Sequence, residues 1–368
     1  MRTVLPAYVR SHHSLNAGPA GLAQMAVAIP ARDEEDRIGK CLSAFAAQVD
    51  ANLREMAIVV LSNNTTDRTL DVVAQTAEAT GLWIDVIDVT LESDSANAGW
   101  ARKLAMDHAR NLMIDDGVIM TTDADTVIDT DWVSQTLLAM ANGVDAVAGY
   151  VTADDAELKR IDPAILEIGA KEWALQHLLA EIDAKADAIP HDPWPRHNQN
   201  CGASLAISAA MYDRVGGLPP LAVGEDRALL DKVRAIDGQI RHALDVHVVT
   251  SARLVGRASG GMADALRTRG SDEYLCDEVL EPARSALRRA QWRSSARKAY
   301  AGGDIIRWCK THDLDRPASE AVAASGFFGE AWANIEASHL LLTRQQLRMS
   351  QLDDEIASAR DIVGRFSS

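Results

Sequence analysis

Between Met25 and Val151, short apolar runs alternate with stretches of helical periodicity, and few folds accept that order. Met25 to Pro30, Met56 to Ser62, Trp83 to Val89, Val118 to Thr122 and Asp145 to Val151 are the strand candidates. Between the first two, Ile38, Cys41, Leu42, Phe45 and Val49 fall on one helical face. A second helix carries Leu70, Val73 and Ala77 after the start signal Thr65-Thr66-Asp67. Strands separated by helices pair in parallel and bury both sheet faces, so the order predicts an α/β fold with a mostly parallel sheet flanked by helices. In such folds ligands bind at the carboxyl ends of the strands.

The chain has 368 residues, of which 47% are hydrophobic, enough for a substantial core and for more than one domain. Residues 1–24 read as an N-terminal tail, 25–127 as the first half of the α/β domain, 128–255 as its second half, and 256–368 as a helical C-terminal extension. A helix is predicted from Pro163 to about Ala186, then a loop forced by Pro190, Pro193 and Pro195. Beyond it lie Ala203 to Ile207, a helix at Glu225 to Ile236, and a strand at Leu244 to Thr250. Trp292, Trp308, Trp332, Phe327 and Phe328 read as packing for the terminal helices. Ile335, Leu340, Leu341, Leu342 and Leu347 read as helix core or as the face of a homodimer.

Net charge is −16 and no basic block is long enough to form a continuous face, which argues against nucleic acid as a partner. An anionic ligand would have to be held against that field by a local cation or by oriented backbone N–H groups. Cys41, Cys201, Cys276 and Cys309 are scattered, with no C-x-x-C pair, so neither a zinc framework nor a disulfide scaffold is expected. With no signal peptide and no apolar run of about 18 residues, the reading is a cytoplasmic protein, at most peripheral to the inner face of a membrane.

The chemistry concentrates at predicted strand ends. Asp123-Ala124-Asp125 follows Val118-Ile119-Met120 and two threonines, and alternate residues of extended chain point the same way. Two converging carboxylates suit a hard cation, Mg²⁺ or Mn²⁺, although an isolated D-x-D is more often a polar turn. After the first strand, Pro30-Ala31-Arg32-Asp33-Glu34-Glu35 offers Asp33 or Glu34 as acceptors for nucleoside hydroxyls and N–H groups; ordinary helix-dipole partnership is the alternative. Ser62-Asn63-Asn64-Thr65-Thr66-Asp67 contains capping residues and a pair of amides, Asn63 and Asn64, able to read a base edge. Arg102 and Lys103, in Asn97 to Lys103, lie near a candidate phosphate site, and the fork of Arg253 could clamp a diphosphate or form a surface ion pair. Gly256 to Gly270, with Arg257, Arg267 and Arg269, reads either as a lid or as an interdomain linker.

In order and spacing these motifs resemble the family 2 glycosyltransferases, enzymes of the GT-A fold that use nucleotide-sugar donors. The resemblance covers roughly residues 25 to 255 and includes Ile29-Pro30-Ala31-Arg32-Asp33-Glu34-Glu35, with Asp33 where the family usually has Asn. It also includes Asn63-Asn64-Thr65-Thr66-Asp67, Asp123-Ala124-Asp125, Asn200-Cys201-Gly202-Ala203-Ser204, Val215-Gly216-Gly217-Leu218 and Gly224-Glu225-Asp226. It implies transfer of a sugar from a nucleotide diphosphate sugar to a hydroxyl of a small molecule, glycan or lipid-linked acceptor, with Mn²⁺ or Mg²⁺ and with inversion. It further implies Asp226 as catalytic base with Glu225 as the next candidate, Asp125 and Asp123 on the metal, and His247 as a third metal ligand. Pro30, Ala31, Asp33, Glu34, Asn63, Asn64, Arg102, Asp123 and Arg253 fall to the donor. A sugar nucleotidylyltransferase and a non-catalytic nucleotide-sugar-binding protein are the alternatives; against the former, an acidic turn stands where a triphosphate loop would be needed.

Overall fold

The computed structural model describes residues 7–18, 21–253 and 275–366. The segment read as a lid or linker, Gly256 to Gly270, lies outside them.

Nine strands among the described residues form one sheet in the order β1-β4-β3-β2-β5-β8-β7-β9-β6. These are β1 (Ala7–Leu15), β2 (Ala23–Ala31), β3 (Met56–Asn63), β4 (Ile84–Leu91), β5 (Met113–Thr121), β6 (Thr126–Ile128), β7 (Ala146–Ala153), β8 (Leu205–Ser208) and β9 (Ile240–Thr250). Neighbours among β2, β3, β4 and β5 pair in parallel, as do β7 and β9. Antiparallel pairing enters through β1, β8 and β6. Every residue of β3 is buried, which is what a strand covered on both faces requires.

Three helices connect the parallel strands: α1 (Ile38–Ala46), α2 (Thr69–Thr80) and α3 (Ala98–Asn111). On α1, Ile38, Cys41, Leu42 and Phe45 are buried against the sheet, while Val49 lies beyond the helix and is exposed. The α3 helix opens on Asn97, whose side chain accepts from the Trp100 backbone N–H at 3.0 Å, satisfying a donor that the first turn leaves without a helical partner.

One segment departs from the sequence reading. Residues 7–15, read as part of a tail, form β1 on the sheet edge, paired with β4 from Ala7 opposite Leu91 to Leu15 opposite Ile84. An exposed edge strand of polar composition, Tyr-Val-Arg-Ser-His-His-Ser, carries no apolar alternation by which it could be recognised.

The chain divides into two compact units. The first holds the sheet and runs to Lys159, returning over Gln199–Asp231 and again from Ile240. The second comprises Arg160–Asn198, Lys232–Gln239 and the C-terminal helices. Within it, the helix Pro163–Ala186, which begins after the cap Asp162, contributes Leu175, Leu179 and Ile182 to a core shared with Leu280, Leu352 and Ile356. A neighbouring core contains Trp308, Phe328 and Trp332, as expected of the terminal aromatics, with Trp292 packed against it. The leucine stripe divides: Ile335, Leu342 and Leu347 are buried, whereas Leu340 and Leu341 face solvent. No described helix is long and apolar enough to cross a membrane.

Candidate functional site

Parallel pairing brings the loops after β2, β3 and β5 to one end of the first unit, and the end of β9 reaches the same place through Arg253. In the turn after β2, Asp33 adopts φ 52°, a left-handed conformation that short polar side chains tolerate better than others. Its Oδ1 accepts from the backbone N–H of Thr66 at 2.8 Å, tying the β2 loop to the β3 loop. A second tie runs from the Glu34 backbone N–H to Thr69 Oγ1 at 2.7 Å.

Glu34 itself turns inward. Only 6% exposed, it receives both arms of Arg253, Nη1 at 2.8 Å and Nη2 at 2.6 Å. The same guanidinium lies 3.1 Å from Asp125 Oδ2. Asp125 is thereby set among Glu34, Asp123 and Arg253, its side chain 14% exposed. Burial, then repulsion from Asp123, pushes its pKa up to about 7 in spite of Arg253. Such a carboxylate pair gains from a cation placed between its members.

Asp123 is held from the other side. Arg102, 5% exposed, donates from Nη2 to Asp123 Oδ1 at 2.5 Å, from Nε to Glu225 Oε1 at 3.0 Å, and from Nη1 to Thr121 Oγ1 and the Gly202 carbonyl, each at 2.9 Å. One side chain thus joins α3, the end of β5, the loop before β8 and the helix Glu225–Ala235. Glu225 is buried, and that burial raises its pKa although Arg102 opposes the shift. Asp226 is more open; its Oδ2 accepts from the Gly202 N–H and its Oδ1 from the Arg227 N–H, both at 2.7 Å.

Other sequence candidates are committed elsewhere. The Asn64 amide donates to the Leu91 carbonyl at 3.0 Å and accepts from the Leu91 N–H at 2.9 Å, binding the β3 loop to the end of β4. Asn63 is 4% exposed. Both ring nitrogens of His247 have partners, Asp129 Oδ2 and Thr152 Oγ1, each at 2.8 Å. In the β6–β9 register Thr126 faces Thr250, so His247 sits three residues, roughly 10 Å, back along the strand. It is not brought to Asp125. Pro30 and Ala31 end β2, their backbone paired with Leu61 and Ser62.

Beside Asp125 a cavity of about 270 Å³ is lined by Asp36, Arg37, Lys40, Glu157, Thr250 and Ser251 among others. Sequence reasoning gave these residues no part in the site. Glu157 accepts from Arg37 at 2.7 Å, from Ser251 Oγ at 2.8 Å and from the Ala252 N–H at 2.7 Å, closing one wall. Partners separated by 120 and 94 positions leave no local signal.

Residues 26–195 match the family model described as glycosyl transferase family 2. No curated protein matches the chain significantly. Among solved structures, a mannosyltransferase from Pyrobaculum calidifontis, in complex with GDP-Man and Mn²⁺, is 17% identical. That alignment covers 94% of this chain and 88% of the other, with a TM-score of 0.48. S. aureus TarS in complex with UDP-GlcNAc is 15% identical over 94% of this chain and 91% of its own, with a TM-score of 0.48. Glucosyl-3-phosphoglycerate synthase from Mycobacterium tuberculosis is 16% identical over 68% of this chain and 78% of its own, with a TM-score of 0.38.

Proposed function

We propose, from the match of residues 26–195 to the family model described as glycosyl transferase family 2, that this chain transfers a sugar from a nucleotide diphosphate sugar to an acceptor hydroxyl, with inversion. The observation that carries the reading is Asp125: a largely enclosed carboxylate crowded by Asp123 and Glu34, at a strand-end site beside a cavity.

The residues fit a divalent ion. Oxygen-only carboxylate ligands suit Mn²⁺ or Mg²⁺. Asp123 Oδ2 and Asp125 Oδ1 have no hydrogen-bond partner among the described residues, so each carboxylate keeps an oxygen for a metal while its other oxygen is oriented by arginine. An ion held there supplies Lewis-acid neutralisation of the leaving diphosphate. His247 stands outside this ligand set, fixed by Asp129 and Thr152.

Asp226 is the base. It is the more open member of Glu225-Asp226, and two backbone N–H groups fix its carboxylate while lone pairs remain for a substrate hydroxyl. The acceptor oxygen bonds to the anomeric carbon, the bond from that carbon to the diphosphate breaks, and the hydroxyl proton passes to Asp226. Glu225 positions Arg102, which in turn orients Asp123. The acceptor is a hydroxyl-bearing small molecule, glycan or lipid-linked compound.

A thermal-shift screen of nucleoside diphosphates with and without Mn²⁺ tests the donor half of the reading, since a ligand of the native state raises apparent stability. Incubating the donor so identified with candidate acceptors then tests transfer through release of nucleoside diphosphate. The absence of any metal-dependent shift would refute the proposal; binding without nucleotide release would make the chain a sensor.

A further inference from the structure

At the opposite end of the parallel strands from Asp125, three side chains from different elements converge. Asp85, the second residue of β4, is 3% exposed. The antiparallel register sets Ser14 of β1 against Asp85 and His12 against Ile87, placing His12 and Ser14 on the sheet face that Asp85 occupies. His108 reaches that face from the last turn of α3.

The two histidines turn the same nitrogen toward the same oxygen. His12 Nε2 lies 2.8 Å from Asp85 Oδ2, and His108 Nε2 makes a shorter contact with it. The three atoms all lie within 4.8 Å of one another, and the rings meet edge to face with centroids 5.0 Å apart. Ser14 Oγ donates to the other oxygen, Asp85 Oδ1, holding the carboxylate plane.

We propose that His12, Asp85 and His108 form a binding site for a zinc-class divalent metal, separate from the carboxylate site at the other end of the sheet. Two imidazoles and a carboxylate suit a borderline transition metal better than Mg²⁺. Bonds of about 2.0–2.2 Å in a tetrahedral array put neighbouring ligand atoms roughly 3.3 Å apart, which these atoms reach by small side-chain adjustment. Ser14 is the outer partner that fixes the ligating carboxylate. A fourth position opens toward solvent, where the His12 side chain is 48% exposed and that of His108 22%. The ion would pin the edge strand β1 to the sheet and to the end of α3. That helix also carries Arg102, six residues and roughly 9 Å before His108.

The test uses the full chain, stripped of metal with a chelator and titrated with Zn²⁺ by calorimetry, with Co²⁺ absorption reporting the ligand field. The wild type and Asp125→Ala are expected to bind one Zn²⁺ at this site with equal affinity. His12→Ala and His108→Ala are expected to bind at least tenfold more weakly, and Ser14→Ala about tenfold more weakly. Zn²⁺ should raise the melting temperature of Asp125→Ala but not that of the variant carrying both Asp125→Ala and His12→Ala. Unchanged Zn²⁺ affinity in His12→Ala would overturn the proposal, as would loss of Zn²⁺ binding in Asp125→Ala alone. Should His108→Ala fail to fold, the half-exposed His12 still decides the matter.

Discussion

Arg253 grips Glu34 through two hydrogen bonds, Nη1 to Oε2 at 2.8 Å and Nη2 to Oε1 at 2.6 Å, across 219 positions of sequence. The turn after the first parallel strand is thereby fastened to the end of β9, and both carboxylate oxygens of Glu34 are engaged. Glu34→Gln keeps the shape but removes the charge and one acceptor, leaving part of a buried guanidinium without its partner. The variant should lose about 1–3 kcal/mol in urea denaturation. Equal stability of variant and wild type would contradict the clasp.

Asp125 sets a pH dependence in the metal-free protein. Its pKa, about 7 in the folded chain against an ordinary 3.8, means that the native state holds the proton more tightly than the unfolded state. Its contribution therefore favours folding below pH 4 and declines as pH rises from about 4 to 7. Asp125→Asn removes that decline, so between pH 4 and pH 7 the variant should gain at least about 1 kcal/mol relative to the wild type. The same substitution should abolish Mn²⁺-dependent binding of nucleoside diphosphate in calorimetry, with an unchanged circular dichroism spectrum.

Asp226→Asn is expected to bind donor and metal normally while kcat for transfer falls by about 10² to 10⁴. Near-normal turnover would exclude Asp226 as the proton acceptor.

In the helical unit, Asp183 titrates in the opposite sense. Burial alone would raise its pKa, but Arg293 and Arg196 overcome that and hold it at about 2. Its contribution to stability is complete above pH 4 and is lost as pH falls toward 2. The stability difference between wild type and Asp183→Asn, measured by denaturant midpoints, should shrink across that window and nearly vanish at its lower end.

The alternation of strands and helices was legible because β2 and β3 are buried nearly throughout, leaving almost continuous apolar runs. The long helix was legible too: Asp162 and Pro163 open it, and the structure ends it at Ala186. Edge strand β1 was hidden, having an exposed face and no apolar period. At the site, Asp123 and Asp125 announced themselves by position after a strand. The Glu157 clasp, the Arg253–Glu34 fork and the partners of His247 depend on contacts between distant segments. Residue type and local order carry no trace of those contacts.

Arg102 reaches the Gly202 carbonyl because residue 202 has no side chain: a β-carbon there would stand 2.5 Å from the guanidinium carbon. The two positions are therefore bound by a history as well as by a contact. A larger residue at 202 becomes admissible only after Arg102 has been exchanged for something shorter, and by then Asp123 and Glu225 have already lost their shared partner. Substitution in the reverse order must first drive the buried Arg102 guanidinium away from its partners. Descendants of this chain that keep the arginine are thus expected to keep the glycine, and the pair to disappear together.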